Sequence, residues 1–497
     1  MNRTTPVICD CGTRLVAGLL AIMLAVMATP AAASVAVYVG RNLTADGSAL
    51  LAGYGDEPSS HWLSIVPARD HAAGATVTVG ATASAKMPGE LIEIPQAART
   101  FRYLSMDYSY FLGLPAPLTN GGLNEHGLAV RDVALQSRQE LVEMTPDPQR
   151  GLNYSDLARI ALERARSARE AMEIVTRLID TYGYTSYGGN SHVFADSEEG
   201  WVVLEFAGGK GLWVARRLGP DDIWLNWRGY HGFGYVQELP ADWRDHPDYR
   251  ASANFESFAI EQGWHDPGTG KPFNVIDVFA RSDQYTEYTA REAREVDASL
   301  RAAAPRVSVE QLMRILRATG RDSSGYGQVA HLRADVPPDL RTLWVAPGPP
   351  VTAPFVPWRI GVESVPPEFR RHRYLTAGEA ERTVDPVQRG LESTRYANRA
   401  VKRLLYLVDE HRQEFLPEVT SLLEAHDRRM LDAQPGVEKT AEILLDAGET
   451  GLARRYLTEH SHAAAADALR LLEGLAAAIE LRTRLLYGIR TPETAPP

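Results

Sequence analysis

Hydrophobic and polar positions fall into three rhythms along the chain. From Leu15 to Thr29 an unbroken apolar run stands between Arg14 and the small residues after Pro30. From Ser34 to about residue 367 short β-branched and aromatic runs alternate with Gly, Pro, Asp and Asn clusters. From about Pro386 onward apolar residues recur at helical spacing in long charged segments, which predicts a helical C-terminal region over 386–497.

Within the middle stretch, VAVYVG after Ser34 and ALLAGY from Ala49 read as two adjacent strands joined by the turn RNLTADGS, a hairpin with an Asp-Gly signal. TVTVGATA reads as a further strand, and NGGLNEHGLAVRDVAL as a Gly-rich turn leading into one, with Asn124 and Gly127 at turn positions. Residues 155–178 predict one helix with Ser155 as cap, ended by TYGY. The runs from Ser191 to Leu218 and DDIWLNW, separated by SEEG, GGKG and GPDD, predict an antiparallel meander. Residues 285–303 and 308–318 read as helices. The proline-rich stretch 334–367 excludes regular helix and predicts surface wrapping or edge strands. No 20 to 50 residue repeat and no sustained heptad is evident.

The chain has 497 residues, 44% of them hydrophobic and 23% charged, a globular composition with room for a large core. The apolar run, its preceding arginines and the A-x-A pattern at Ala31 and Ala33 predict a secretory signal over 1–33, cut before Ser34, and a secreted or periplasmic protein. The run is short for a membrane span. Both cysteines, Cys9 and Cys11, fall inside that signal, so the remaining chain has neither a thiol nucleophile nor a disulfide. The formal charge of −11 becomes −12 without residues 1–33, which disfavours nucleic-acid and anionic-membrane partners. The 13 histidines are scattered; His460 and His462 lack metal-site spacing, and His126 and His192 read as structural. Trp201, Trp213, Trp224 and Trp227 read as core packing rather than a substrate wall.

Cleavage before Ser34 would leave a hydroxyl beside a free α-amine whose ordinary pKa is about 7.7 to 8.0, so that a nucleophile and its base share one residue. SVAVYVGRNLTADGSALLAGYGDE, NGGLNEHGLAV, ARSAREAMEIVTRLIDTYGY, HVFADSEEGWVVLEF and LWVAPGPPVTAPFVPWRIG together resemble the C69 dipeptidases of the N-terminal-nucleophile hydrolase superfamily, in which the first residue is normally cysteine. Ser34 takes that cysteine's place. The resemblance implies an α+β fold, a four-layer αββα core over 34–385 with the C-terminal helices appended, and a cofactor-free enzyme that attacks peptide bonds in small peptides.

By the same resemblance Asp56 orients the nucleophile's amine, Asn226 donates to the oxyanion, and Arg291 with Arg294 matches an arginine pair. Read from the residues alone, Asp56 is equally a loop aspartate, Asn226 a turn residue and Arg291 a helix-surface charge. A second oxyanion asparagine of the acylase relatives would fall near Ala134. Gly53 stands where the acylase branch carries an arginine. The alternatives are therefore a linear-amide acylase of the penicillin V or bile-salt type, which the glycine disfavours, and a catalytically silent binding protein. The helical tail is a candidate surface for self-association.

Overall fold

The computed structural model describes residues 34–55, 61–108, 114–115, 117–227, 237–281, 287–321, 323–370 and 395–488. The predicted hairpin is its centre: β1 (Val35–Val39) and β2 (Ala49–Tyr54) are buried at every position. Asp46 closes the turn by accepting from the Ser48 amide and hydroxyl, Gly47 supplies a φ of 76°, and His331 Nε2 lies 2.7 Å from the free carboxylate oxygen. Burial works against the charged carboxylate, but His331 and Ser48 outweigh it and hold Asp46 well below the usual range.

Two large sheets are formed. The eight-stranded sheet takes β3 (His61–Val66), β4 (Tyr103–Tyr108), β5 (Leu118–Asn124), β6 (Ala129–Ala134), β7 (Asn190–Ala195), β8 (Gly200–Glu205), β9 (Trp213–Leu218) and β11 (Tyr249–Ala251), in the order β11-β9-β8-β7-β6-β5-β4-β3. The six-stranded sheet has the order β10-β1-β2-β12-β13-β14, where β10 is Ile223–Trp227, β12 Gly327–Leu332, β13 Thr342–Ala346 and β14 Val356–Arg359. β1 and β2 lie against β6 of the facing sheet, and β12 against β5. On the outer side of the eight-stranded sheet, α1 (Tyr154–Arg164) covers β5 and β6 and α2 (Ala168–Tyr182) covers β7 and β8. On the outer side of the six-stranded sheet, α3 (Glu287–Ala303) meets β10, and α4 (Val309–Thr319) meets β2 and β12. The layers are αββα.

Three expectations change. The helix predicted over 155–178 is two helices, because Asn124 Nδ2 takes the carbonyls of Leu162 and Ala165 at the end of the first and Ser167 caps the second. Its cap is Asn153, in a capping box with Asp156, while Ser155 accepts from the Thr119 amide. NGG is strand rather than turn: a Cβ at Gly121 would lie 2.0 Å from Val130 O and one at Gly122 1.9 Å from Leu104 O, so these glycines allow close strand approach. The meander holds for β7, β8 and β9, but the next strand, β10, leaves that sheet and pairs antiparallel with β1 in the other.

The proline-rich stretch forms β13 and the edge strand β14. The C-terminal helices, α5 (Ala397–Asp409), α6 (Arg412–Asp446) and α7 (Thr450–Tyr487), pack on this side; α7 meets β14 and α6 meets α4. A buried pair, Arg317 Nη2 to Asp427 Oδ2 at 2.6 Å, ties α6 to α4, and Asp427 also accepts from the Phe355 amide. None of the helices among the described residues is long and apolar enough to cross a membrane.

Candidate active site

Ser34 immediately precedes β1 and is 5% exposed. Strand alternation puts it on the face of Ala36, and the register shows what that face holds. Ala36 lies opposite Asn226 on β10 and opposite Gly53 on β2, and Gly53 lies opposite Gln328 on β12. The row Asn226, Ala36, Gly53, Gln328 points between the sheets, because both of its amides bond to the facing sheet. Asn226 Nδ2 donates to Ser191 Oγ at 2.7 Å, and Gln328 Nε2 donates to Val130 O at 3.0 Å. Ser191 in turn donates to Val133 O at 2.8 Å, which fixes its lone pairs toward Asn226.

The crossing of β10 therefore brings Ser34 and Asn226, far apart in sequence, to one face of adjacent strands. Asn226 is fully buried, and one of its two amide hydrogens is engaged by Ser191. A rigid, desolvated amide of this kind is the chemistry that suits a developing oxyanion.

The odd-numbered residues of β1 face the helices. Trp227, opposite Val35, donates Nε1 to Glu292 of α3 at 3.1 Å, and Tyr54 donates to Thr319 O at 2.9 Å. On α3, Ala293 is buried, whereas Arg291 and Arg294 are exposed and Arg291 Nε lies 3.8 Å from Glu295. Asp56 lies outside the described residues.

Beside this row stands a group that the sequence pattern did not single out. Arg131 on β6 is fully buried and donates from Nη1 to the Tyr326 hydroxyl at 2.8 Å; that hydroxyl donates to Gln328 Oε1 at 3.3 Å. The His61 ring lies 5.5 Å from Tyr326 and 5.2 Å from Tyr108. The available signal was the charged pair Arg131-Asp132 in the middle of an otherwise apolar strand.

The opposite face of β6 carries a separate polar cluster. His192 Nδ1 lies 2.7 Å from Glu205 Oε1 and its Nε2 3.0 Å from Tyr154 O, with all three residues buried. Burial disfavours the imidazolium, but Glu205 and more weakly Asp132 outweigh it and raise the pKa of His192. Asn190 sits opposite Ala134 and bonds to Asp132, so this asparagine faces α1 rather than Ser34. Trp201, Trp213, Trp224 and Trp227 are all at least nine-tenths buried, and three of their ring N–H groups bond to Glu199, Asp180 and Glu292. Among the described residues no three His, Cys, Asp or Glu side chains gather as a metal-binding group.

The fold class is an α+β sandwich of αββα layers, with Ser34 immediately before β1, an interior strand of the six-stranded sheet. The chain belongs to peptidase family C69, whose family model matches residues 33–311, more than half of its length. It is 33% identical over 105 residues to a protein named "Probable dipeptidase B" from Lactococcus lactis subsp. lactis, a match that spans only 21% of this chain and 21% of that relative. Solved structures with distant likeness include penicillin V acylase from Agrobacterium tumefaciens, at 10% identity and TM-score 0.34 over 66% of this chain and 86% of that one. Another is a mutant of conjugated bile acid hydrolase from Clostridium perfringens, at 10% identity and TM-score 0.35 over 67% of this chain and 93% of that one. The family assignment rests on the C69 match and not on these likenesses.

Proposed function

We propose that the protein is an exported dipeptidase in which removal of residues 1–33 creates the nucleophile. The observation that carries this reading is the placement of Ser34, nearly buried at the head of a central strand and on the same face as Asn226. The freed α-amine accepts the proton of Ser34 Oγ as that oxygen attacks the substrate carbonyl. The tetrahedral oxyanion takes the second amide hydrogen of Asn226. Collapse breaks the C–N bond, the amine product leaves with the proton held by the α-amine, and an acyl ester remains on Ser34. Water, deprotonated by the same amine, then releases the acid product.

Before cleavage the nitrogen of Ser34 is an amide and cannot act as a base, so export and activation are one event. General-base help of this kind contributes roughly 10² to 10⁴-fold. Asp56 is assigned to hold the ammonium through its carboxylate. The exposure of Arg291 and its pairing with Glu295 support a helix-surface role over contact with the reacting carbonyl.

The test is the intact mass of the exported protein followed by turnover of a dipeptide panel. A mass beginning at Ser34, with hydrolysis lost in Ser34→Ala, is expected. Hydrolysis that survives Ser34→Ala, or a mature mass that still contains Cys9, refutes the mechanism.

A further inference from the structure

Two ion pairs clasp α5 to α7. Arg395, just ahead of α5, meets Glu473 with Nε 2.7 Å from Oε1 and Nη2 3.0 Å from Oε2. Arg403 Nη2 meets Glu480 Oε2 at 2.9 Å, and Arg484 shares that carboxylate. Glu473 and Glu480 stand two turns apart on one face of α7, about 10 Å along its axis.

Between these rungs the pattern breaks. Arg399 lies one turn from Arg403, is exposed, and makes no ion pair among the described residues. On α7 the position between the two glutamates on that face is Ala476, whose methyl is buried where a third carboxylate would complete the ladder. A cavity of about 240 Å³ opens there, with buried Leu469, Leu472 and Ala476 as its floor and Arg395, Arg399 and Arg403 along its rim.

The lining states what fits. An aliphatic floor rewards a hydrocarbon body, by about fourfold in affinity for each methylene buried. The rim holds one more cation than the two glutamates match, in a chain whose overall charge is −11, so its complement is a single anion. A guanidinium fork suits a carboxylate. Both glutamates are already engaged, so an ammonium finds no partner and a zwitterion is excluded. The ion pairs close the cavity at either end, and its volume is below the range of about 300–1,000 Å³ usual for drug-sized ligands.

We propose that this cavity binds a small aliphatic carboxylate, of the kind a medium-chain fatty acid presents, with the anion on Arg399 and the chain over Leu469, Leu472 and Ala476. The site is independent of the Ser34 reading.

The experiment is titration calorimetry of the exported protein with butanoate, hexanoate, octanoate and 1-octanol. Affinity should rise about fourfold per methylene from butanoate to octanoate. Octanoate should exceed octanol by about threefold, the worth of an exposed ion pair. Arg399→Gln should bring that ratio to one without moving the melting temperature, and Ala476→Leu, which fills the cavity, should abolish binding. Wild type that takes up no octanoate at about 10 mM overturns the site without any variant. Equal affinity for octanoate and octanol in wild type overturns the carboxylate. Octanoate binding that is unchanged in Ala476→Leu, or an octanoate preference that survives Arg399→Gln, places the ligand elsewhere and overturns the proposal. If Ala476→Leu does not fold, the exposed Arg399 variant decides.

Discussion

Gly53→Ala adds one methyl group where two backbones and an arginine already meet. The new Cβ would lie 2.2 Å from Val35 O, whereas ordinary contact begins at 3.4 Å, so the backbone must give by more than an ångström and the arginine by a few tenths. Gly53 is held on both sides, opposite Ala36 and Gln328, and relief cannot come from rotating a side chain. Overpacking typically costs 1–3 kcal/mol; with backbone on the receiving side we expect about 3 kcal/mol. At roughly 2–4 °C per kcal/mol, the melting temperature should fall by about 6–12 °C. The displaced carbonyl belongs to the residue after Ser34, and a misplacement of about 1 Å at a reacting group costs on the order of 10²-fold in turnover. Calorimetry and dipeptide kcat/KM measure the two effects. Gly474→Ala, in α7 with no atom within 4 Å of the added methyl, is the control and should gain up to about 1 kcal/mol. If Gly53→Ala melts and turns over like wild type, the close crossing at Gly53 is wrong, and the placement of Arg131 falls with it.

Asn226→Ala should lower kcat by about 10² to 10³. Ser191→Ala, which only loosens Asn226, should lower kcat by about tenfold with little change in KM; full kcat in Asn226→Ala would remove it from the oxyanion site. Because the folded pKa of His192 is raised, its stabilising pair with Glu205 is fully present below the unfolded value near 6.5 and is lost as pH rises through the folded value. Glu205→Gln should therefore cost about 3–5 kcal/mol at pH 6 and less at pH 9; denaturant melts showing a pH-independent cost would contradict this. Asp427→Ala leaves the Arg317 charge buried without the carboxylate 2.6 Å from it and should also cost about 3–5 kcal/mol. An unchanged melting temperature in that variant would mean the pair does not anchor α6.

The sequence by itself determined what local rules can determine. β-branched runs and an Asp-Gly turn specify the hairpin of β1 and β2, prolines keep the stretch after residue 334 out of regular helix, and apolar spacing fixes the long C-terminal helices. It also marked Ser34, since a signal pattern ending beside a strand is a local feature. Long-range pairing is not written in periodicity. Only the tertiary structure sent β10 across to β1 instead of onto β9, and that pairing turned Asn226 from a turn candidate into a neighbour of the strand that follows Ser34. The crowding at Gly53 has the same explanation. An inter-sheet position can be filled from either sheet, and here the arm of Arg131, 78 residues along the chain by the numbering, takes the space that glycine at 53 leaves open.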